Sequence, residues 1–135
     1  MTTTWIVVAN ARVARVFAQN GPNKELELVS ECAAEVMPAS RPHGGRQPRR
    51  GEFPKNEAKG FAHKLAQDLY TGRSRGRYGR AILVAPPAFM GMLNAELDGP
   101  TAHMVSSRLD KDYTHSGEKD LCLRLKECLR VSLTD

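Results

Sequence analysis

Arginine in two glycine-containing segments is the plainest chemistry that the sequence offers. Four arginines lie between residues 37 and 54, and four more lie between residues 71 and 80. A guanidinium forks onto phosphate oxygens and stacks on bases, and glycine lets the backbone approach a ligand closely, a combination that suits RNA. The predicted nucleic-acid-binding residues are Arg41, Arg46, Arg49, Arg50, Lys55, Lys59, Arg73, Arg75, Arg77, Tyr78 and Arg80.

The charge distribution points to the same part of the chain. The net charge of the 135 residues is +5, but residues 36–80 hold 11 Lys+Arg and 3 Asp+Glu, a local charge of +8. The other residues hold 9 Lys+Arg and 12 Asp+Glu, which gives them a net charge of −3. Such an excess favours an anionic partner, such as nucleic acid or a membrane surface. The alternative is that both segments are solvated loops without a partner.

Metal-dependent and cofactor-dependent chemistry is poorly supported. Two-metal phosphodiester cleavage needs clustered carboxylates, whereas the first predicted strand is followed by Asn10 and the fourth ends at Ala85-Pro86 without an acidic residue. The four histidines lack metal-ligand spacing, and no phosphate-binding glycine motif is present. We therefore predict no metal and no cofactor. The segment Asp112–His115 fits a turn before a capped helix better than an acid–base cluster.

Periodicity predicts the elements that must position these residues. The predicted strands are Thr4–Ala9, Arg12–Gln19, Glu25–Cys32, Ala81–Ala85 and His103–Leu109. The predicted helices are Lys55–Tyr70, a second that opens at Pro86-Pro87 and ends at Asp98-Gly99-Pro100, and a third capped by Ser116. The order βββαβαβα predicts an α/β fold with a mixed five-stranded sheet and three helices, as in ribonuclease H-like domains. We expect one domain over residues 1–135.

Between the third strand and the first helix, residues 37–54 form a long basic segment without periodicity. Four of the eight prolines and three glycines fall there. Structureless loops of more than about 12 to 15 residues are usually functional or disordered.

The expected location is the cytoplasm. Residues 1–5 lack the basic character of a signal peptide, and no apolar stretch approaches the roughly 20 residues that span a bilayer. The three cysteines form no CxxC pair, which fits a reduced protein without a disulfide framework.

Four blocks of sequence extend over nearly the whole chain. They are Trp5-Ile-Val-Val-Ala-Asn-Ala-Arg-Val-Ala-Arg-Val-Phe17, Phe61-Ala-His-Lys-Leu-Ala-Gln-Asp-Leu69, Ile82-Leu-Val-Ala-Pro-Pro-Ala-Phe-Met-Gly91 and Leu109-Asp-Lys-Asp-Tyr-Thr-His115. In this order and spacing, the four blocks resemble the bacterial family called host attachment proteins. The resemblance implies a role in attachment to host cells. It also implies a fold similar to the middle domain of archaeal and eukaryotic peptide-chain release factors, and with it a ribosome-associated role.

That release-factor domain carries a Gly-Gly-Gln tip, between its third strand and a basic helix, which promotes peptidyl-tRNA hydrolysis. The corresponding segment here contains Gly44-Gly45-Arg46-Gln47. The resemblance makes Gly44, Gly45 and Gln47 candidate catalytic residues. The inserted Arg46 would displace the glutamine by roughly 3.3 to 3.6 Å of extended chain.

Three functions stay open at this point. The first is a cytoplasmic RNA- or ribosome-associated module whose effect on attachment is indirect. The second is a peptidyl-tRNA hydrolase that acts through the Gly44-Gly45-Arg46-Gln47 loop. The third is a surface factor that mediates attachment directly.

Overall fold

A mixed five-stranded sheet forms the centre of the computed structural model, which describes residues 3–21, 25–34 and 55–125. The strands are β1 (Thr4–Ala9), β2 (Val13–Gln19), β3 (Glu27–Ala33), β4 (Arg80–Val84) and β5 (Val105–Leu109). The helices in these ranges are α1 (Lys55–Ser74), α2 (Pro87–Glu96), α3 (Gly99–Met104) and α4 (Glu118–Arg124).

The strands lie in the order β3-β2-β1-β4-β5. The first three form an antiparallel meander, and β4 and β5 continue it in parallel with β1. The predicted mixed α/β sheet is confirmed. Because β1, β4 and β5 are parallel, their last residues meet at one edge of the sheet, here called the carboxyl edge, and their first residues meet at the amino edge.

Alternate residues of the buried strands pack on opposite faces of the sheet. Trp5 and Val7 of β1 belong to a core cluster that also contains side chains of α1 and α2. Ile6 and Val8 belong to a second cluster with Leu121 of α4. All six residues of β1 are buried, because the strand has neighbours on both sides and helices over both faces.

The helices differ from prediction in three places. α1 continues to Ser74 rather than ending at Tyr70. Gly99-Pro100 not only follows α2 but opens α3, a fourth helix that the predicted order lacks, because proline fits a first turn whose N–H groups have no intrahelical partner. As a result β5 begins at Val105 instead of His103. α4 has Gly117 rather than Ser116 at its N-cap.

Candidate nucleic-acid interface

The second arginine segment is the end of α1 followed by a short connection, here called the α1–β4 turn (residues 75–79). Gly76 has φ +69°, and its N–H donates to the Arg73 carbonyl at 3.0 Å. The N–H of Arg77 donates to the Gly72 carbonyl at 2.8 Å. These two bonds around a left-handed glycine form a Schellman motif. The side chains of Arg75 and Arg77 project from it and are exposed.

Packing under the turn determines where it lies. The Trp5 and Tyr78 rings stack at 4.6 Å between centroids, and the Tyr78 hydroxyl donates to the Leu69 carbonyl at 2.6 Å. A Cβ added to Gly72 would lie 2.6 Å from Trp5 Cη2, so only glycine fits there. Tyr78 is 4% exposed, and burial raises its pKa to about 12. The predicted stacking of Tyr78 on RNA is therefore wrong, because its ring belongs to the core.

Arg73 is used inside the protein. Its Nε donates to Thr101 Oγ1 at 3.0 Å, and its Nη2 lies 3.6 Å from Asp98 Oδ2. Its guanidinium also lies over the Tyr70 ring, at 5.3 Å from the ring centroid. These contacts join the end of α1 to the start of α3.

Arg80 is likewise engaged at the amino edge, where it begins β4. Its Nε donates to Ser106 Oγ at 2.8 Å, and this bond links β4 to β5. Of the four arginines of this segment, two thus brace the fold and two, Arg75 and Arg77, are exposed.

The other predicted binding residues lie near the beginning of α1 or outside the described residues. Lys59 is exposed on the early part of α1. Lys55 begins α1, but its side chain is outside the described set. The first arginine segment is also outside the described residues, with the predicted residues Arg41, Gly44, Gly45, Arg46, Gln47, Arg49 and Arg50. The two arginine segments join α1 at opposite ends, about 30 Å apart for a helix of 20 residues.

A hydrogen-bonded cluster occupies the carboxyl edge, where Asn10 follows β1. Asn10 Oδ1 accepts the backbone N–H groups of Arg12 and Val13 at 2.8 and 2.9 Å, which closes the turn into β2. Its Nδ2 donates to Asp112 Oδ2 at 3.1 Å and to Thr114 Oγ1 at 3.2 Å. Asn10 is 102 positions from Asp112 and 104 from Thr114 in the sequence. These residues meet because the parallel strands end at the same edge of the sheet. Sequence reasoning missed this cluster, and the predicted parallel crossovers were the signal for it.

Arg15 holds the same loop from the neighbouring strand. Its Nη1 donates to the carbonyls of Thr114 and Ser116 at 3.2 and 2.9 Å, and its Nε lies 3.4 Å from Glu31 Oε2. The loop after β5 is therefore tied to β2 as well as to Asn10.

The carboxylate of Asp112 is an acceptor in this cluster. Partial burial acts to raise its pKa, but hydrogen bonds from the Thr114 hydroxyl, the Thr114 N–H and Asn10 outweigh burial and lower the pKa below its usual value. Asp112 is thus ionised at neutral pH and unsuited to donate a proton. The residues that the structure describes contain no group of three His, Cys, Asp or Glu side chains arranged to hold a metal ion.

The family model described as "Protein required for attachment to host cells" matches residues 5–125. The chain belongs to this family. The match includes both edges of the sheet and every described element except the first residue of β1. No curated protein matches the sequence.

Solved structures show the same fold in distant proteins. This family member resembles the archaeal translation termination factor aRF1 with a TM-score of 0.53 and 14% identity, over 96% of its own residues and 41% of that chain. A second archaeal protein matches with a TM-score of 0.53 and 13% identity, over 97% and 40%. The chain thus spans about two-fifths of these structures. No helix in the described ranges is long and apolar enough for a membrane crossing.

Proposed function

We propose that this family member is a cytoplasmic RNA- or ribosome-associated module. The observation that carries the proposal is the pair of exposed guanidinium groups, Arg75 and Arg77, on a turn that Arg73 and Arg80 brace from inside. A rigid turn presents cations to phosphates without a large loss of side-chain and backbone freedom on binding.

The fold likeness supports the ribosome as the partner. Two archaeal structures share the fold at low sequence identity, and one of them is described as a translation termination factor. The sequence adds the arginines of residues 37–54, which remain predicted phosphate-binding residues. Phosphate binding by such cations weakens steeply with salt, because it releases condensed counterions.

Sedimentation with ribosomes tests the proposal. Wild-type protein is expected in the ribosomal fractions at low salt and in the free fractions at high salt. Replacing Arg75 and Arg77 together with serine should move the protein to the free fractions at low salt. The charge-matched control replaces Lys111 and Lys119, which are exposed elsewhere, and should sediment like the wild type. Wild-type protein that never reaches the ribosomal fractions would contradict association with the ribosome, and failure to bind RNA as well would contradict the whole proposal.

The family's role in attachment is, on this proposal, an indirect effect of translation or gene expression. Deleting the gene should reduce attachment, and the Arg75→Ser, Arg77→Ser variant should fail to restore it. Restoration of attachment by protein added outside intact cells would favour a surface factor instead.

Peptidyl-tRNA hydrolysis remains a prediction from the resemblance alone, since the Gly44-Gly45-Arg46-Gln47 loop lies outside the described residues. Its test is cleavage of peptidyl-tRNA on ribosomes by wild-type protein and by Gln47→Ala. If the protein is a hydrolase, the wild type should cleave peptidyl-tRNA and the Gln47→Ala variant should not.

A further inference from the structure

The outer stripe of α1, which points away from the sheet, is polar and uncharged over most of its length. It consists of Gly60, His63, Gln67, Thr71 and Ser74, spaced by three or four residues and all exposed. Gln67, Thr71 and Ser74 both donate and accept hydrogen bonds. His63 Nδ1 lies 2.7 Å from Glu96 Oε1, so that ring is already engaged with α2.

Cations lie at both ends of this stripe. Lys59 and Lys64 are exposed near its beginning, and Arg75 and Arg77 follow its end. Sixteen residues separate Lys59 from Arg75, which is about 24 Å along the helix axis. The exposed acidic residue of α1 is Asp68, which lies with Lys64 on the side that faces Cys32.

We infer that the ligand of α1 is double-helical RNA, bound across its minor groove; this inference rests on the proposed function. The minor groove of A-form RNA is wide and shallow, displays 2′-hydroxyl groups and is bordered by a phosphate strand on each side. The amide and hydroxyl side chains of the outer stripe match the 2′-hydroxyls. The separated cations match the two phosphate strands.

The aromatic residues near this surface argue against single-stranded RNA. Proteins bind single strands largely by stacking bases on exposed rings. Tyr78 is buried against Trp5. Tyr70 is 46% exposed, but the Arg73 guanidinium lies over its ring at 5.3 Å from the centroid. Among the described residues of α1 and its turn, the one exposed aromatic ring therefore already has a guanidinium over one of its faces.

Three nucleic acids of one sequence test the inference: an RNA duplex of about 16 base pairs, the length that double-stranded RNA-binding domains cover, the DNA duplex, and the single-stranded RNA. Affinities are measured by fluorescence anisotropy with the full chain. Wild-type protein should bind the RNA duplex at least about tenfold more tightly than the other two, because only that duplex offers 2′-hydroxyls in a groove.

Alanine replacement of Gln67, Thr71 and Ser74 together is the decisive variant. It should lower the affinity for the RNA duplex about tenfold and remove its preference over DNA. Alanine is the best helix former, so α1 stays folded, and an unchanged melting temperature checks this. Arg75→Ser with Arg77→Ser should instead weaken binding to all three nucleic acids alike. Lys111→Ser with Lys119→Ser should change none of them.

The outcomes separate this inference from the proposed function. Equal binding of all three nucleic acids that still depends on Arg75 and Arg77 overturns the inference and leaves the proposed function standing. Ribosome association without binding to duplex RNA points to a ribosomal protein as partner and also overturns it. Absence of both ribosome and RNA binding removes the proposed function itself.

Discussion

At the carboxyl edge of the sheet, Asn10, Asp112 and Thr114 bond to one another, whereas at the amino edge Arg75 and Arg77 point into solvent. Both edges contain polar residues that follow or precede buried strands. The difference lies in what satisfies them. Polar side chains that form hydrogen bonds with one another hold loops in place. Side chains that a turn holds away from other groups of the protein are available to a ligand.

The largest expected effect is on the packing that supports the amino edge. Gly72→Ala should lower the free energy of unfolding by about 2 to 3 kcal/mol, because the new Cβ would lie 2.6 Å from Trp5 Cη2 and 3.0 Å from Tyr78 Cε1. Urea denaturation measures this. Gly60→Ala in the same helix meets nothing within 4 Å and should stabilise by roughly 0.5 to 1 kcal/mol. Equal stability of the two variants would refute the packing role of Gly72.

The second prediction breaks the carboxyl-edge cluster. Asn10→Asp keeps the acceptor for the β1–β2 turn but replaces a donor to Asp112 with a second carboxylate. The loss should be about 1 to 2 kcal/mol at pH 7. Repulsion raises the pKa of the carboxyl pair in the folded state, so the loss should shrink as the pH falls toward 4.

The control for that cluster exchanges the amide of residue 10 with the carboxylate of residue 112. Asn10→Asp combined with Asp112→Asn keeps one donor facing one acceptor, and stability should return to near the wild-type value. A double variant as unstable as Asn10→Asp alone would contradict the donor–acceptor assignment.

The third prediction separates bracing from exposed arginines. Arg73→Ala should cost about 1 kcal/mol in unfolding free energy, because it removes the bond to Thr101 and the ion pair with Asp98. Arg75→Ala should leave stability within about 0.5 kcal/mol, since that side chain is exposed. The order should reverse in RNA binding measured against salt, where loss of Arg75 reduces the salt slope by about 1.

The smallest expected effect is the pH dependence contributed by Asp112. Its pKa is lowered in the folded state, so the stability it contributes is complete above the unfolded value of about 3.9 and is lost as the pH falls through the folded value. Asp112→Asn should therefore lower stability at pH 7, by less than about 1 kcal/mol. The gap from wild type should close in acid unfolding below about pH 4. A stability difference that widens below pH 4 would mean that the pKa of Asp112 is raised, not lowered, in the folded state.

Local patterns predicted much of the fold. The apolar run in β1 and the i, i+3, i+4 stripe of α1 report burial directly, because each depends only on neighbouring residues. α1 continues beyond its predicted end at Tyr70, because Gly72 is a close-packing position inside the helix rather than part of a loop. The stop is Gly76, whose left-handed conformation completes the C-terminal cap.

The sequence by itself determined the mixed sheet, the family resemblance and the two arginine segments, since periodicity and composition are local properties of the chain. Only the tertiary structure decided that Tyr78 is a core residue, that Arg73 and Arg80 have internal partners, and that Asn10 meets Asp112 across 102 positions. Strand order and register determine those partners. Order and register depend on which apolar surfaces are buried against each other in the folded chain, and not on each residue's neighbours in the sequence.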